Sequence, residues 1–379
     1  MTTPCSVPGP IEMCAAGSGS SERLPAEPNA GPLGAVTAFA PGRVNLIGDH
    51  TDYTGGLALP MAIDLGTEVV FHPDATAVTI EFSSSIEPET CRIPMKLAAN
   101  PWDLGMILPE WGRHVGAVAS VVHPRYGGKG TITTTLPVGA GLSSSASLEI
   151  ALALALGYEG DAVSLARACQ LAEQAASGVR TGILDQLAIT MADAGHALLL
   201  DCATLKAIPI AIPEGLEVVI AHCGVDRTLV GSAYAERRAE CEAAERLIGS
   251  LRSAKPWEVD RLADPVVRRR ARHVVSENAR VLQFVSALKM NDARTAGQLM
   301  NASHASLATD YEVSIPELDE LTDRLRATRG VFGARLTGAG FGGCVVALAE
   351  RGAVRLPLRG IRAWRAVPAA AAHCRSEII

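Results

Sequence analysis

Arg43, Asn45, Asp49, His50 and Asp52 crowd into ten positions of the stretch Pro41-Gly42-Arg43-Val44-Asn45-Leu46-Ile47-Gly48-Asp49-His50-Thr51-Asp52-Tyr53. Side chains of this kind beside glycines suit a polyhydroxylated ligand, whose hydroxyls need both donors and acceptors, and carboxylates accept strongly. A second stretch, Leu136-Pro137-Val138-Gly139-Ala140-Gly141-Leu142-Ser143-Ser144-Ser145-Ala146-Ser147, follows a predicted strand and runs into a predicted helix. Its glycines let backbone approach a ligand closely, and a helix N-terminus offers free N–H groups and partial positive charge to a phosphate. The three serines add hydroxyl donors and possible Mg²⁺ ligands. It is not a Walker A loop, because no Gly-Lys-Ser/Thr follows. It is not the dinucleotide-binding fingerprint either, because Ser144 stands where the third glycine belongs. A third stretch, Leu336-Thr337-Gly338-Ala339-Gly340-Phe341-Gly342-Gly343-Cys344, places four glycines in six positions between two apolar runs. Taken singly, the three stretches read equally as a polar surface loop, a Gly/Ser helix cap and a tight hairpin.

The elements that must hold these loops are legible in part. Val36–Ala40 is a short apolar run that ends at Pro41-Gly42, and Leu57–Ile63 is apolar again. Strands are expected at Glu68–His72, Val78–Phe82, Ile132–Leu136, Ala197–Leu200, Val218–Ala221, Val331–Leu336 and Cys344–Leu348. Helices are expected at Ser147–Leu156, Ala162–Ala176, Ile183–Met191, Ala233–Leu251, Val266–Leu288 and Ala293–Ala308. This alternation indicates a mixed α/β or α+β chain. At 379 residues two domains are expected. Residues 1–34, rich in Gly, Pro, Ser and Ala, read as a disordered extension. A composition break near Ala203–Gly215 divides the rest into 35–205 and 206–379. Arg and Pro recur without periodicity in the tail 351–379, which does not read as a packed element.

Composition excludes several classes. Lys and Arg number 34 against 40 Asp and Glu, a net charge of −6 that argues against a general nucleic-acid binder. The longest unbroken apolar run, Ile150–Leu156, is far below the ~18–20 residues of a membrane-spanning helix. No secretory signal is visible at the N-terminus. The nine cysteines are scattered without a C-x-x-C pair, which suits free thiols in a reducing cytoplasm and makes a zinc site or disulfide framework unexpected.

Together the three stretches resemble the three motifs of the GHMP kinases, and the first, continued through Thr54-Gly55-Gly56-Leu57-Ala58-Leu59-Pro60-Met61-Ala62-Ile63, resembles the galactokinase signature. Gly182-Ile183-Leu184-Asp185-Gln186, Tyr234 through Cys241 and His273–Arg280 resemble the same family, so the likeness runs from about Ala35 to Leu348. The resemblance implies an α+β, two-domain GHMP kinase fold with the active site in the interdomain cleft. It implies ATP-dependent phosphorylation of D-galactose at the C1 hydroxyl, with ATP and Mg²⁺ as cofactors. Asp185 matches the catalytic carboxylate; on the helical pattern Leu184, Leu187, Ala188 and Met191 face inward and leave Asp185 off their stripe. Arg43 matches the active-site arginine that offsets charge on Asp185 and on the transferring phosphoryl group. Asp49, His50, Asp52, Gly182 and Tyr234 match sugar-binding positions. Gly139, Gly141, Ser143, Ser144 and Ser145 match the phosphate loop, and Ser144 and Glu173 the Mg²⁺-associated positions.

Three departures bear on the details. The family usually has Glu where this chain has Asp49, which shortens the reach toward a sugar hydroxyl. That motivates a second reading, a kinase for N-acetylgalactosamine or a pentose. Ala339 replaces a common glycine in the third motif and is harmless only at negative φ. The tail beyond Leu348 does not resemble the family's closing helix and strand, which suggests an altered or truncated reading frame. A third reading, a non-catalytic sugar and ATP sensor of the same fold, is opposed by the intact Ser144-Ser145-Ala146, Asp185 and Arg43.

Overall fold

The computed structural model describes residues 34–96, 101–226, 230–356, 358 and 360–376. The extension expected over residues 1–34 lies outside them, Gly34 excepted. In chain order the elements are β1 (Val36–Asn45), β2 (Leu57–Ala58), β3 (Pro60–Asp74), β4 (Thr79–Ser84), β5 (Cys91–Pro94), α1 (Pro101–Gly105), α2 (Gly112–Val122), β6 (Gly127–Thr134), α3 (Ser144–Ala155), α4 (Ala162–Ser177), α5 (Leu184–Thr190), β7 (His196–Asp201), β8 (Lys206–Ala211) and β9 (Leu216–His222). There follow α6 (Val230–Ile248), α7 (Pro256–Asp260), α8 (Pro265–Lys289), α9 (Ala293–Thr309), α10 (Pro316–Arg326), β10 (Val331–Leu336), β11 (Cys344–Glu350), β12 (Ala363–Ala366) and β13 (His373–Ser376).

The first lobe is a six-stranded sheet in the order β13-β1-β3-β6-β4-β5, with α3 and α5 against β1 and β3 and with α2 and α4 packed on α3. Helix α3 is continuously apolar from Ile150 on and exposes no residue to solvent; Ile150, Ala151, Leu152 and Ala153 are wholly buried. The second lobe is a four-stranded sheet, β10-β11-β9-β12, backed by α8, α9 and α10. Strand β9 is buried at all seven positions, its apolar centre Val218–Ala221 flanked by the buried Glu217 and His222. A continuous core joins the lobes, setting Val44, Leu46 and Met61 of the first against Ile220, Phe284 and Val346 of the second. Asp264 opens α8 by accepting from Val266 N and Val267 N, with Pro265 at the first helical position.

Strand β1 carries the apolar run Val36–Ala40 on through Pro41-Gly42 to Asn45, with a register shift between Pro41 and Gly42 in its pairing to β3; the bulge accommodates a proline that a regular ladder would reject. A boundary after residue 205 would cut the β7–β8 hairpin, which pairs His196 with Ala211 through Asp201 with Lys206. The tail is not without packed structure: β12 pairs with β9, β13 with β1, and Val354 is wholly buried. Each lobe's sheet is thus completed by one strand from the last part of the chain, which counts against a tail foreign to the fold. Helices α2 and α10 and the short strands β5 and β8 appear where no element was expected.

Candidate active site

Asp185 occupies the first turn of α5, whose buried stripe of Leu184, Leu187 and Ala188 leaves its carboxylate facing a pocket between the lobes. Arg43, at the end of β1, grips that carboxylate through Nε to Oδ1 at 2.8 Å and Nη2 to Oδ2 at 2.7 Å. The planar fork matches a carboxylate in two places and so fixes direction as well as charge. Arg43 Nη1 donates to the carbonyl of Gly141 at 2.8 Å, tying the pair to the phosphate loop. Ser143 Oγ donates to Asp185 Oδ2 at 2.5 Å. A carboxylate accepts about four hydrogen bonds, so these three leave Asp185 a free lone pair on its pocket side.

The three serines therefore divide. Ser143, the residue before α3, adopts φ of 62° and donates its hydroxyl to Asp185. Ser145 donates to Glu173 Oε1 at 2.6 Å. Ser144 makes no hydrogen bond through its hydroxyl among the described residues and lines the pocket beside Gly139, Gly141 and the start of α3. Both glycines have positive φ, 74° and 76°, the conformation that turns their amides toward a bound anion. Glu173 is buried and also accepts from Thr181 Oγ1 at 3.0 Å and Gln186 Nε2 at 2.8 Å. No cluster of three or more metal-ligating His, Cys, Asp or Glu occurs among the described residues. Ser144 and Glu173 instead offer a few hard oxygens in the same pocket, the donor set that suits Mg²⁺ held mainly by phosphates and water.

The sugar-loop residues line the other end of the same pocket, where Asp49, His50, Asp52, Gly182 and Tyr234 meet Gly338 and Ala339 of the third motif. Asp52 lies so close to Gly182 that a Cβ there would sit 1.6 Å from its Oδ2. Burial, then the nearby Asp185 carboxylate, push the Asp52 carboxyl up to about 6. His50 lines the pocket with its ring nitrogens engaged by protein partners. Its Nε2 donates to the Ala339 carbonyl at 3.2 Å, so its Nδ1 accepts from the Tyr53 hydroxyl at 3.1 Å, and both ring nitrogens are committed within the protein. Burial pulls its pKa down to about 3, so the ring is neutral at physiological pH. Asp49 is likewise engaged: Oδ2 accepts from Arg335 at 2.5 Å and Oδ1 from the amide of Gly338 at 3.1 Å.

Residues 29–73 match the galactokinase galactose-binding signature, residues 113–193 the N-terminal domain of GHMP kinases and residues 284–362 their C-terminal region. The chain is 40% identical to human galactokinase over 343 residues, which covers 86% of this chain and 87% of that one. This chain belongs to the galactokinase family. A Roseiflexus galactokinase is also 40% identical, over 84% of each chain. The crystal structure of Lactococcus lactis galactokinase complexed with galactose has a TM-score of 0.82 at 32% identity, covering 89% of this chain and 95% of that one. Mevalonate kinase of Methanococcus jannaschii shares the fold, with a TM-score of 0.65 at 21% identity over 93% of this chain and all of that one. The chain is accordingly a sugar kinase that uses ATP, with the two-domain α+β fold expected of it.

In this family member several supporting residues escape sequence reading. Glu277 of α8 accepts from the amide of Gly48 at 2.9 Å and from Ser303 at 2.6 Å, and Arg280 binds its other oxygen at 2.6 Å. Arg280 and its other charged neighbours hold the Glu277 carboxyl at about 2 despite full burial. Thr337 donates to Asn45 O and accepts from Asn45 N, each at 3.0 Å, zipping the third motif to the first. Gln170 and Gln174 both donate to the carbonyl of Thr181 at 3.1 Å, fixing the turn that presents Gly182. The spacings of Gln170 and Gln174, one helical turn apart, and of Glu277 and Arg280 at i,i+3 are local signals for these contacts. Ala339 lies outside the positive-φ positions that Gly338 and Gly340 occupy at 80° and 77°, so its methyl group costs nothing.

Proposed function

We propose that the chain transfers the γ-phosphoryl group of ATP to the C1 hydroxyl of D-galactose, giving galactose 1-phosphate and ADP. The observation that carries this is Asp185, held by Arg43 and Ser143 where the phosphate loop meets the sugar loop in one pocket. Asp185 accepts the proton of the sugar hydroxyl on its free lone pair as the phosphoryl group arrives. Arg43 offsets charge on the carboxylate and on the transferring group, and the amides at the start of α3 with Gly139 and Gly141 seat the phosphates. Asp52, Gly182, Tyr234 and Asp49 wall the sugar's side of the pocket and position it. Ser144 and Glu173 are the residues to hold Mg²⁺, which when bound neutralises phosphate charge. Cytoplasmic residence is part of the same reading, supported by the described cysteines, none of which is joined in a disulfide. No described helix is long and apolar enough to cross a membrane.

The test is an ADP-release assay on a panel of galactose, N-acetylgalactosamine and pentoses. Turnover highest with galactose is expected. A strong preference for another sugar overturns the substrate assignment. Binding of galactose and ATP without turnover establishes the sensor reading instead.

A further inference from the structure

Arg335, near the end of β10, has a fully buried side chain that crosses from the second lobe to the first. Its Nη2 donates to Asp49 Oδ2 at 2.5 Å and its Nη1 to the Asn45 carbonyl at 3.3 Å, while its Nε has no partner among the described residues. A buried guanidinium is costly to desolvate, and apolar side chains of similar volume often serve stability as well or better. The backbone of the sugar loop has other holds besides the Arg335 bond to the Asn45 carbonyl. Glu277 holds the Gly48 amide, Thr337 holds both backbone groups of Asn45, and His273 Nε2 lies 3.2 Å from the Asp49 carbonyl. What Arg335 alone supplies is a cation to the Asp49 side chain.

We propose that Arg335 is a positioning residue for the sugar, holding the carboxylate of Asp49 aimed at the sugar end of the pocket from the opposite lobe. The proposal rests on the galactose-kinase reading above. Asp49 oxygens bound to Arg335 and to the Gly338 amide retain lone pairs for a sugar hydroxyl, and neither oxygen can swing away without breaking one of these bonds. On balance burial raises the Asp49 carboxyl, and the Arg335 charge is the largest influence opposing it. The other titratable or charged groups around the pair are Arg43 of β1, His50 and Asp52 of the sugar loop, His273 and Glu277 of α8, and His304 of α9. Of these Arg43 is bound to Asp185, and His50, His273 and His304 are held low by burial, so none substitutes for Arg335.

The experiment is a double-mutant cycle of Arg335→Met and Asp49→Asn, with Arg335→Lys as the conservative variant. It reads kcat, the KM of galactose and of ATP, and the pH profile of kcat/KM for galactose. Arg335→Met is expected to raise the galactose KM by ~10-fold or more while kcat and the ATP KM stay within about 3-fold. Its acid limb should move up by about 1 pH unit or more, with Arg335→Lys recovering part of both changes. In the Asp49→Asn background, Arg335→Met should add little further loss. If Arg335→Met does not fold, Arg335→Gln, which fills the space without charge, enters the cycle in its place. Equal damage to kcat and the ATP KM, an unmoved acid limb, or additive effects in the cycle would overturn the proposal. A wild-type enzyme that does not phosphorylate galactose refutes the parent reading instead, before any variant is made.

Discussion

Replacing Gly182 by Ala isolates the sugar contact from the chemistry. Gly182 is not among the positive-φ glycines, so its backbone accepts a side chain. The obstruction is Asp52, whose Oδ2, Cγ and Oδ1 would lie 1.6, 2.3 and 3.0 Å from the new Cβ. Ordinary contact begins near 3.4 Å, so the carboxylate must retreat by about 2 Å. No hydrogen bond from Asp52 to a sugar survives a displacement of that size, because such bonds span ~2.7–3.2 Å. A hydrogen bond to a charged group contributes about 1.5–3 kcal/mol, which corresponds to a galactose KM raised about 10- to 150-fold. The ATP KM should change little, since the phosphate loop is untouched. Asp52, released toward solvent, should also lose part of the upward push that burial gives its carboxyl. Steady-state kinetics from pH 5 to 8, with a thermal melt to confirm folding, make the measurement. A folded Gly182→Ala variant whose galactose KM stays within about 3-fold of wild type would refute the claim that Asp52 contacts the sugar.

Asp185→Asn should lower kcat by roughly 10²–10⁴-fold while calorimetry still detects galactose binding; near-normal turnover would remove Asp185 from the chemistry. Glu277, fully buried, has its carboxyl held at about 2 in the fold against 4.5 unfolded. A depressed carboxyl stabilises above the unfolded value and loses that contribution as pH falls through about 2, on the order of 3 kcal/mol. Glu277→Gln should therefore lower the Tm at pH 7, by a gap that narrows toward pH 3 in paired melts; a gap independent of pH would contradict this. Glu173→Gln should raise the Mg²⁺ concentration needed for half-maximal rate, and a lowered Tm with unchanged Mg²⁺ dependence would reduce Glu173 to a strut for Ser145, Thr181 and Gln186.

The three Gly-rich stretches could be read without coordinates because their chemistry is local. Glycines at positive φ, a strand leading into a serine-tipped helix and a dense polar loop are properties of a dozen consecutive residues. Long apolar runs such as Val218–Ala221 and Ile150–Leu156 declared themselves for the same reason, since burial on all sides leaves no room for polar residues. Partnership is a different matter. Arg43 and Asp185 stand 142 positions apart, and Arg335 and Asp49 286 apart, so no spacing rule connects them. The commitment of His50 to Ala339 and Tyr53, and of Ser143 to Asp185, is equally hidden, because a side chain free in sequence terms can be spent on a neighbour brought by the fold. Strands β12 and β13 carry four residues each and no alternation; they exist because β9 and β1 arrive with unpaired backbone edges. Local pattern thus determined which backbone each segment can adopt and which family's chemistry it can serve. Tertiary structure alone decided which groups meet, because hydrogen bonding and charge pairing act across a few ångströms of space rather than along the chain.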